Sequence, residues 1–208
     1  MRFLDLVMWG GTVVPCPAET AIVLVPRDER PLRGDAGRLD WRLCGEISRL
    51  LQSGFASGAT GESLLIPARA PVAAERLLLF GLGLSKHLGA RRIEQALERS
   101  VGKAIQLGAE RVSLALPESI DLEIDAASIV SGLVQALEQR PAEARLCLLL
   151  PVLDAPPEAV PEAARQQREE ARARGVRIEV RRFDRAPGRE VPRASPPASA
   201  PLPPAPGA

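Results

Sequence analysis

"ERLLLFGLG", residues 75–83, decides how the rest of this chain is read. Leu77 to Phe80 are apolar without a break, and Gly81 and Gly83 follow on either side of Leu82. A run of this kind suits a strand buried on both faces, in a parallel or mixed sheet with helices above and below. The glycines admit two readings: a tight turn that ends the strand, or a loop that cradles phosphate. A dinucleotide fingerprint needs a further glycine where this chain has Lys86, and a helix opening directly at the turn. Here "LSKHLGA" intervenes, and no Walker-type Gly-Lys-Ser/Thr occurs. The turn is therefore the preferred reading. Gly81 and Gly83 remain candidate ligand-binding residues, because ligands of open α/β sheets sit at the carboxyl ends of strands. The glycine-rich loop 54–61 supplies Gly58 and Gly61 to the same candidate set.

Upstream, "SLLIPA" (63–68) reads as a strand, preceded by the small-residue loop "SGFASGATGE" (53–62). A helix is expected over 40–52, with Asp40 as N-cap and Leu43, Ile47, Leu50 and Leu51 on one face. The polar stretch "RDERPLRGDAGRL" before it reads as a connection. Two further strands, 2–8 and 20–26, open the chain.

Downstream, helical periodicity over 90–107 is stopped by Gly108, and a strand follows at 110–117. A helix over 125–138, a strand over 144–151, a charged helix over 157–174 and an alternating strand over 176–183 complete the pattern. The alternation of the last strand fits an edge or half-exposed strand. From Asp184 onward proline, alanine and serine dominate, a composition that cannot offset its ordering entropy and is expected to be disordered. The expected architecture is a three-layer α/β/α domain with a mixed sheet over 1–183, followed by a proline-rich tail over 184–208.

Composition excludes several function classes. The net charge of the 208 residues is +1, so no global field recruits nucleic acid or anionic lipid. No segment reaches the ~18–20 apolar residues of a membrane span, and "MRFLDLVMWGG" reads as a first strand rather than a secretory signal. Cys16, Cys44 and Cys147 are widely spaced and His87 is the sole histidine, so the usual zinc ligand set is missing. Free thiols in a reducing cytoplasm are expected, with no metal and no cofactor.

Other motifs weigh lightly. His87 stands in a polar loop without a partner nucleophile, and Ser63 lacks the glycine two places after it that a nucleophile elbow needs. Asp121, Glu123 and Asp125 could hold a hard cation only weakly and fit a solvated loop before a helix. Residues 161–193 contain ten arginines and six acids. Arg165, Arg168 and Arg172 share a helical face, which makes contact with nucleic acid an alternative function. The interspersed Glu162, Glu169 and Glu170 favour a salt-bridged, solvated helix instead. Two overlapping PxxP patterns, 201–204 and 203–206, arise in a proline-biased tail.

One stretch goes beyond composition. "LDWRLCGEISRLLQSGFASGATGESLLIPARAPVAAERLLLFGLG" (39–83) resembles the N-terminal domain of the leucyl aminopeptidase family, peptidase family M17. The shared series is a leucine-ended helix, a glycine-containing loop, a "GESLL" strand start, a short polar link and "ERLLLFGLG". The following "ARRIEQALERSVGKAIQLGAERVSLALP" fits as well. The resemblance implies a macro-domain-like α/β sandwich, in which the glycines after this strand form a turn. It places catalysis in a separate C-terminal domain with two divalent metals, whose signature resembles N-T-D-A-E-G-R-L. That signature does not occur here, so no catalytic residue carries over. The expectation is a stand-alone, non-catalytic interaction or regulatory module, a monomer or small oligomer, with a catalytic aminopeptidase subunit as a partner in trans. The alternative is a binder of a nucleotide or ADP-ribose-like ligand in the macro-like cleft, although the asparagine-rich strand end and triple-glycine loop of true macro domains are missing.

Overall fold

The computed structural model describes residues 1–152 and 158–183, so the proline-rich tail expected over 184–208 lies outside the described residues. Seven strands form one sheet: β1 (Arg2–Gly10), β2 (Thr20–Pro26), β3 (Ser63–Pro67), β4 (Arg76–Gly83), β5 (Arg111–Ala115), β6 (Arg145–Val152) and β7 (Val176–Phe183). Their spatial order is β3-β4-β2-β5-β6-β1-β7. Every neighbouring pair is parallel except β3 with β4. The sheet is mixed, as the sequence pattern predicts, and β7 lies at an edge.

The period-two alternation of the strands divides the core into two layers. Leu4, Leu6 and Met8 of β1, Ile22 and Leu24 of β2, and Leu78 and Phe80 of β4 point to one side. There they meet α3 (Ala90–Gln106), α4 (Ala126–Glu138), α5 (Ala159–Gln166) and α6 (Arg168–Ala173). Val7, Trp9, Val23, Val25, Leu77 and Leu79 point to the other side, toward α1 (Gly34–Arg42) and α2 (Glu46–Gln52). β2 is buried along its whole length. This explains why it and β4 read as apolar runs.

Two expected helices are each divided. The helix read over 40–52 is α1 and α2, and α1 begins inside the polar stretch read as a connection. The chain breaks between them at Cys44 (φ 55°) and Gly45 (φ 78°), both in the left-handed region. Asp40 is therefore not an N-cap residue but lies inside α1. Its carboxylate still serves a helix start, because Oδ1 accepts the Ser48 N–H at 2.9 Å and Oδ2 accepts the Ser48 hydroxyl at 2.5 Å, in the first turn of α2. The charged helix read over 157–174 is α5 and α6, separated at Gln167, whose amide Nε2 donates to the Ala127 carbonyl at 2.9 Å. Asp125 occupies the N-cap position of α4.

Gly81 does not end its strand, contrary to the turn reading. β4 continues to Gly83, and Gly81 pairs with Val25 of β2. A Cβ on Gly81 would stand 2.0 Å from the Ala59 carbonyl oxygen and 2.6 Å from the Gly58 carbonyl carbon. The glycine thus admits the backbone of loop 57–61 flat against the strand. Gly83, at φ 77°, turns the chain out of the sheet.

Gly81→Ala is expected to lower unfolding free energy by about 3 kcal/mol, because backbone must move to admit the methyl. Denaturant unfolding checks this, and a loss below half that value would show that the loop is not seated on β4. A second expectation concerns Asp35 in the first turn of α1, whose side chain is only 13% exposed. Burial pushes its carboxyl up to about 6, and the Arg38 guanidinium offsets this only in part. The unfolded chain releases that proton near pH ~4, so the contribution of Asp35 to stability falls as pH rises from about 4 through about 6. Asp35→Asn should flatten that decline and raise stability at neutral pH by about 1–3 kcal/mol. Thermal melts across the window decide it.

Candidate functional site

The four candidate glycines come together in one hydrogen-bonded unit at the carboxyl ends of β2 and β4. Gly61 N–H donates to the Gly81 carbonyl at 2.9 Å, and Gly83 N–H donates to the Gly58 carbonyl at 2.9 Å. Gly81 N–H donates to the Glu62 carbonyl at 2.8 Å, which extends the β3–β4 ladder into the loop. Arg27 N–H, just past β2, closes the group on the Gly83 carbonyl at 2.8 Å. Sequence spacing does not reveal this meeting, because the loop and the strand end are joined by tertiary pairing alone.

Successive amides at Ser57, Gly58 and Ala59 form an anion-binding concavity of the type that holds phosphate or carboxylate. Here the chain's own Glu62 fills it. Its Oε2 accepts the N–H groups of Ser57 at 2.8 Å, Gly58 at 2.7 Å and Ala59 at 3.2 Å, and the Ser57 hydroxyl at 2.9 Å. Burial alone would raise the Glu62 carboxyl, but these donors outweigh it and hold the group below the usual carboxylate range. The space left between loop and sheet, lined by Gly58, Glu62 and Gly81, is about 10 Å³. That is room for about one water.

A second carboxylate does the same work at the next strand end. Asp28, after β2, accepts the Ser85 N–H at 2.8 Å and the Ser85 hydroxyl at 2.7 Å. The Ser85 amide, and then its hydroxyl, draws the Asp28 carboxyl below its ordinary value. Above β5, Arg33 pairs with Glu118 at 3.3 Å, and Asp35 N–H donates to the Leu116 carbonyl at 3.3 Å. A shallow cavity of about 370 Å³ remains, lined by Asp28, Glu29, Arg30, Arg33 and Ser85 among others. Sequence reasoning missed Glu62 and Asp28. The available signal for Glu62 was an acid three to five residues after small-residue amides, the spacing of a loop that closes on itself.

The remaining sequence candidates are placed as follows. His87 is exposed in a short turn over Ser85–His87. Asp125 accepts the Asp121 N–H at 2.9 Å, and Asp121 accepts the Glu123 N–H at 2.7 Å, so two of the three acids bond to loop amides. Among the described residues, no group of three or more His, Cys, Asp and Glu side chains is arranged to hold a metal. Cys16 is buried and Cys147 half-buried; burial pushes both thiols above their ordinary range, while Cys44 is exposed. No helix among the described residues is long and apolar enough to cross a membrane. In the arginine-rich segment, Arg165 pairs with Glu162, Arg174 with Glu138 and Glu170, Arg177 with Glu179, Arg181 with Asp5 and Arg182 with Glu158. Its residues 184–193 lie outside the described residues.

A different surface emerges at α1 and α2. Trp41 is 73% exposed, and the Arg42 guanidinium lies 4.9 Å from its ring centroid. Two adjoining open grooves, of about 770 and 570 Å³, flank this pair. The sequence reading assigned Trp41 no role, since one tryptophan on a helix of mixed polarity carries no pattern.

Comparison with known proteins fits this geometry. Residues 22–140, more than half of the chain, match the N-terminal domain of the cytosol aminopeptidase family. A probable cytosol aminopeptidase of Nitrosococcus oceani is 35% identical over 86 residues, which is 41% of this chain and 17% of that protein. The fold is that of a mutant tomato leucine aminopeptidase, with a TM-score of 0.54 at 18% identity over 76% of this chain and 35% of that one. It is also that of the Oceanobacillus iheyensis macrodomain with MES bound, with a TM-score of 0.61 at 10% identity over 79% of this chain and 93% of that one. A mutant of the same macrodomain with ADPR gives a TM-score of 0.58 at 13% identity, covering 79% and 92%. The chain thus matches about a sixth of the aminopeptidase relative and about a third of the tomato enzyme, in each case only a part of a longer protein. With the family's N-terminal pattern spanning more than half of its residues and a macrodomain-like architecture around it, the chain belongs to the cytosol aminopeptidase family, through that family's N-terminal domain.

Proposed function

We propose that this domain is a non-catalytic module that acts by protein–protein contact, as an interaction or regulatory partner in the cytoplasm. One observation carries the reading: amides at the carboxyl ends of β2 and β4, where an open α/β sheet receives an anionic ligand, are bonded to the chain's own Glu62 and Asp28. The partner class that family membership suggests is a catalytic aminopeptidase subunit acting in trans, met by a monomer or small oligomer of this chain.

A small-ligand reading draws on the ADPR- and ADP-bound macrodomains of similar fold. In this chain an anion at the glycine loop would have to displace Glu62 from four donors. The nucleic-acid reading of the 161–193 segment is weakened by the ion pairs that engage Arg165, Arg174, Arg177, Arg181 and Arg182.

Thermal melts of the full chain with ADP-ribose, ADP or inorganic phosphate at millimolar concentration should show no shift. A ligand at ~100 times its Kd adds about 2.7 kcal/mol, so a rise of several degrees with ADP-ribose would replace the interaction reading with the ligand reading. Glu62→Gln should cost about 1–2 kcal/mol through weaker hydrogen bonds to a neutral acceptor. Because the folded carboxyl is held below its unfolded value, that difference should be full above pH ~4.5 and shrink as pH falls. An unchanged melting temperature at neutral pH would mean that Glu62 does not hold the loop.

A further inference from the structure

We infer that the face formed by α1 and α2 docks an extended acidic peptide segment of a partner protein, one whose alternate residues are apolar. The inference rests on the interaction reading and adds to it the place and the chemistry of the contact.

Charge is the first argument. The two grooves are lined by five arginines, Arg33, Arg38, Arg42, Arg49 and Arg69, and by a single acid, Glu46. The whole chain carries only +1, so this face concentrates positive charge that the rest of the surface balances. Arg33 and Arg38 are paired with Glu118 and Asp35. Among the described residues, Arg42, Arg49 and Arg69 meet no carboxylate at ion-pair distance, unlike the arginines of α5 and β7. All three are exposed.

The floor of the grooves is the second argument. Val14 and Leu32 underlie one groove, Leu43 and Leu50 the other, and Arg42 borders both. Trp41 rises beside them, while the chain's other tryptophan, Trp9, is 2% exposed within the core. Tryptophan and arginine are the residues that centre protein interfaces. An aliphatic floor with cationic rims accepts a peptide strand whose carboxylates reach the rims and whose apolar side chains enter the grooves. A single nucleic-acid strand would instead need successive aromatic platforms, and Trp41 is the only aromatic residue lining these grooves.

The test is fluorescence anisotropy with the full chain. The probe is a labelled peptide of about ten residues alternating glutamate and leucine, compared with a lysine–leucine peptide and an oligothymidylate of similar length. The acidic peptide should bind at least about tenfold tighter than either, weaken as salt rises, and shift Trp41 emission. Arg42→Glu with Arg49→Glu should weaken binding about tenfold or more, whereas the same charge change at Arg168 and Arg172 should leave it unaltered. Trp41→Ala should abolish the emission shift, and its melting curve reports whether the fold is kept. Equal binding of the lysine–leucine peptide, tighter binding of the oligonucleotide, or affinity indifferent to the arginine pair would each overturn the proposal. If partners from native lysate are captured equally by the wild type and by the double variant, the interaction reading stands and this surface is not its site. If neither captures any, the broader reading falls as well.

Discussion

β4 is buried on both of its faces, so each of its peptide groups must find a partner along its two edges. β2 serves one edge and β3 serves the other, but β3 stops short of the end of β4. The loop at 57–62 completes the ladder, and it reaches β4 only because Gly81 carries no side chain. The tightness of that contact sets the position of the loop amides. Their direction then requires an acceptor, and Glu62 is the acceptor at hand. The end of the sheet where ligands of this architecture bind is thereby shaped by one backbone-to-backbone approach.

The same economy of charge runs through the molecule. Where polar groups converge at the strand ends, the chain answers its own amides with Glu62 and Asp28 and its own cations with Glu118. On α5 and β7 the arginines find acids across short distances. At α1 and α2 the pattern changes, with exposed arginines standing over an aliphatic floor beside an exposed tryptophan. A protein of nearly neutral net charge holds that combination in one place, and the contrast gives the α1–α2 face its meaning. The macrodomain likeness is one of fold, and a fold does not by itself transfer a ligand.

The α1–α2 face was the least legible part of the sequence. Two left-handed residues, Cys44 and Gly45, break what periodicity alone extends as one helix, and α1 starts within a stretch whose polarity resembles a loop. Helical spacing still marked Leu43 and Ile47 as inward-facing, because both halves bury the same side of the sheet. Asp40 shows the limit well: it suits a helix start by type, and it does serve one, but across a chain reversal rather than from the N-cap position.

By itself the sequence determined the order of the strands, the two-sided burial of β4, the alternating exposure of β7 and the family, since each rests on local periodicity or on a contiguous pattern. The meeting of Gly58, Gly61, Gly81 and Gly83 was decided by tertiary structure, as were the capture of the loop amides by Glu62 and the gathering of arginines around Trp41. These depend on strand register and on which helix covers which half of the sheet. Such contacts join residues far apart in the chain, and their energies are settled by close packing that no local window contains.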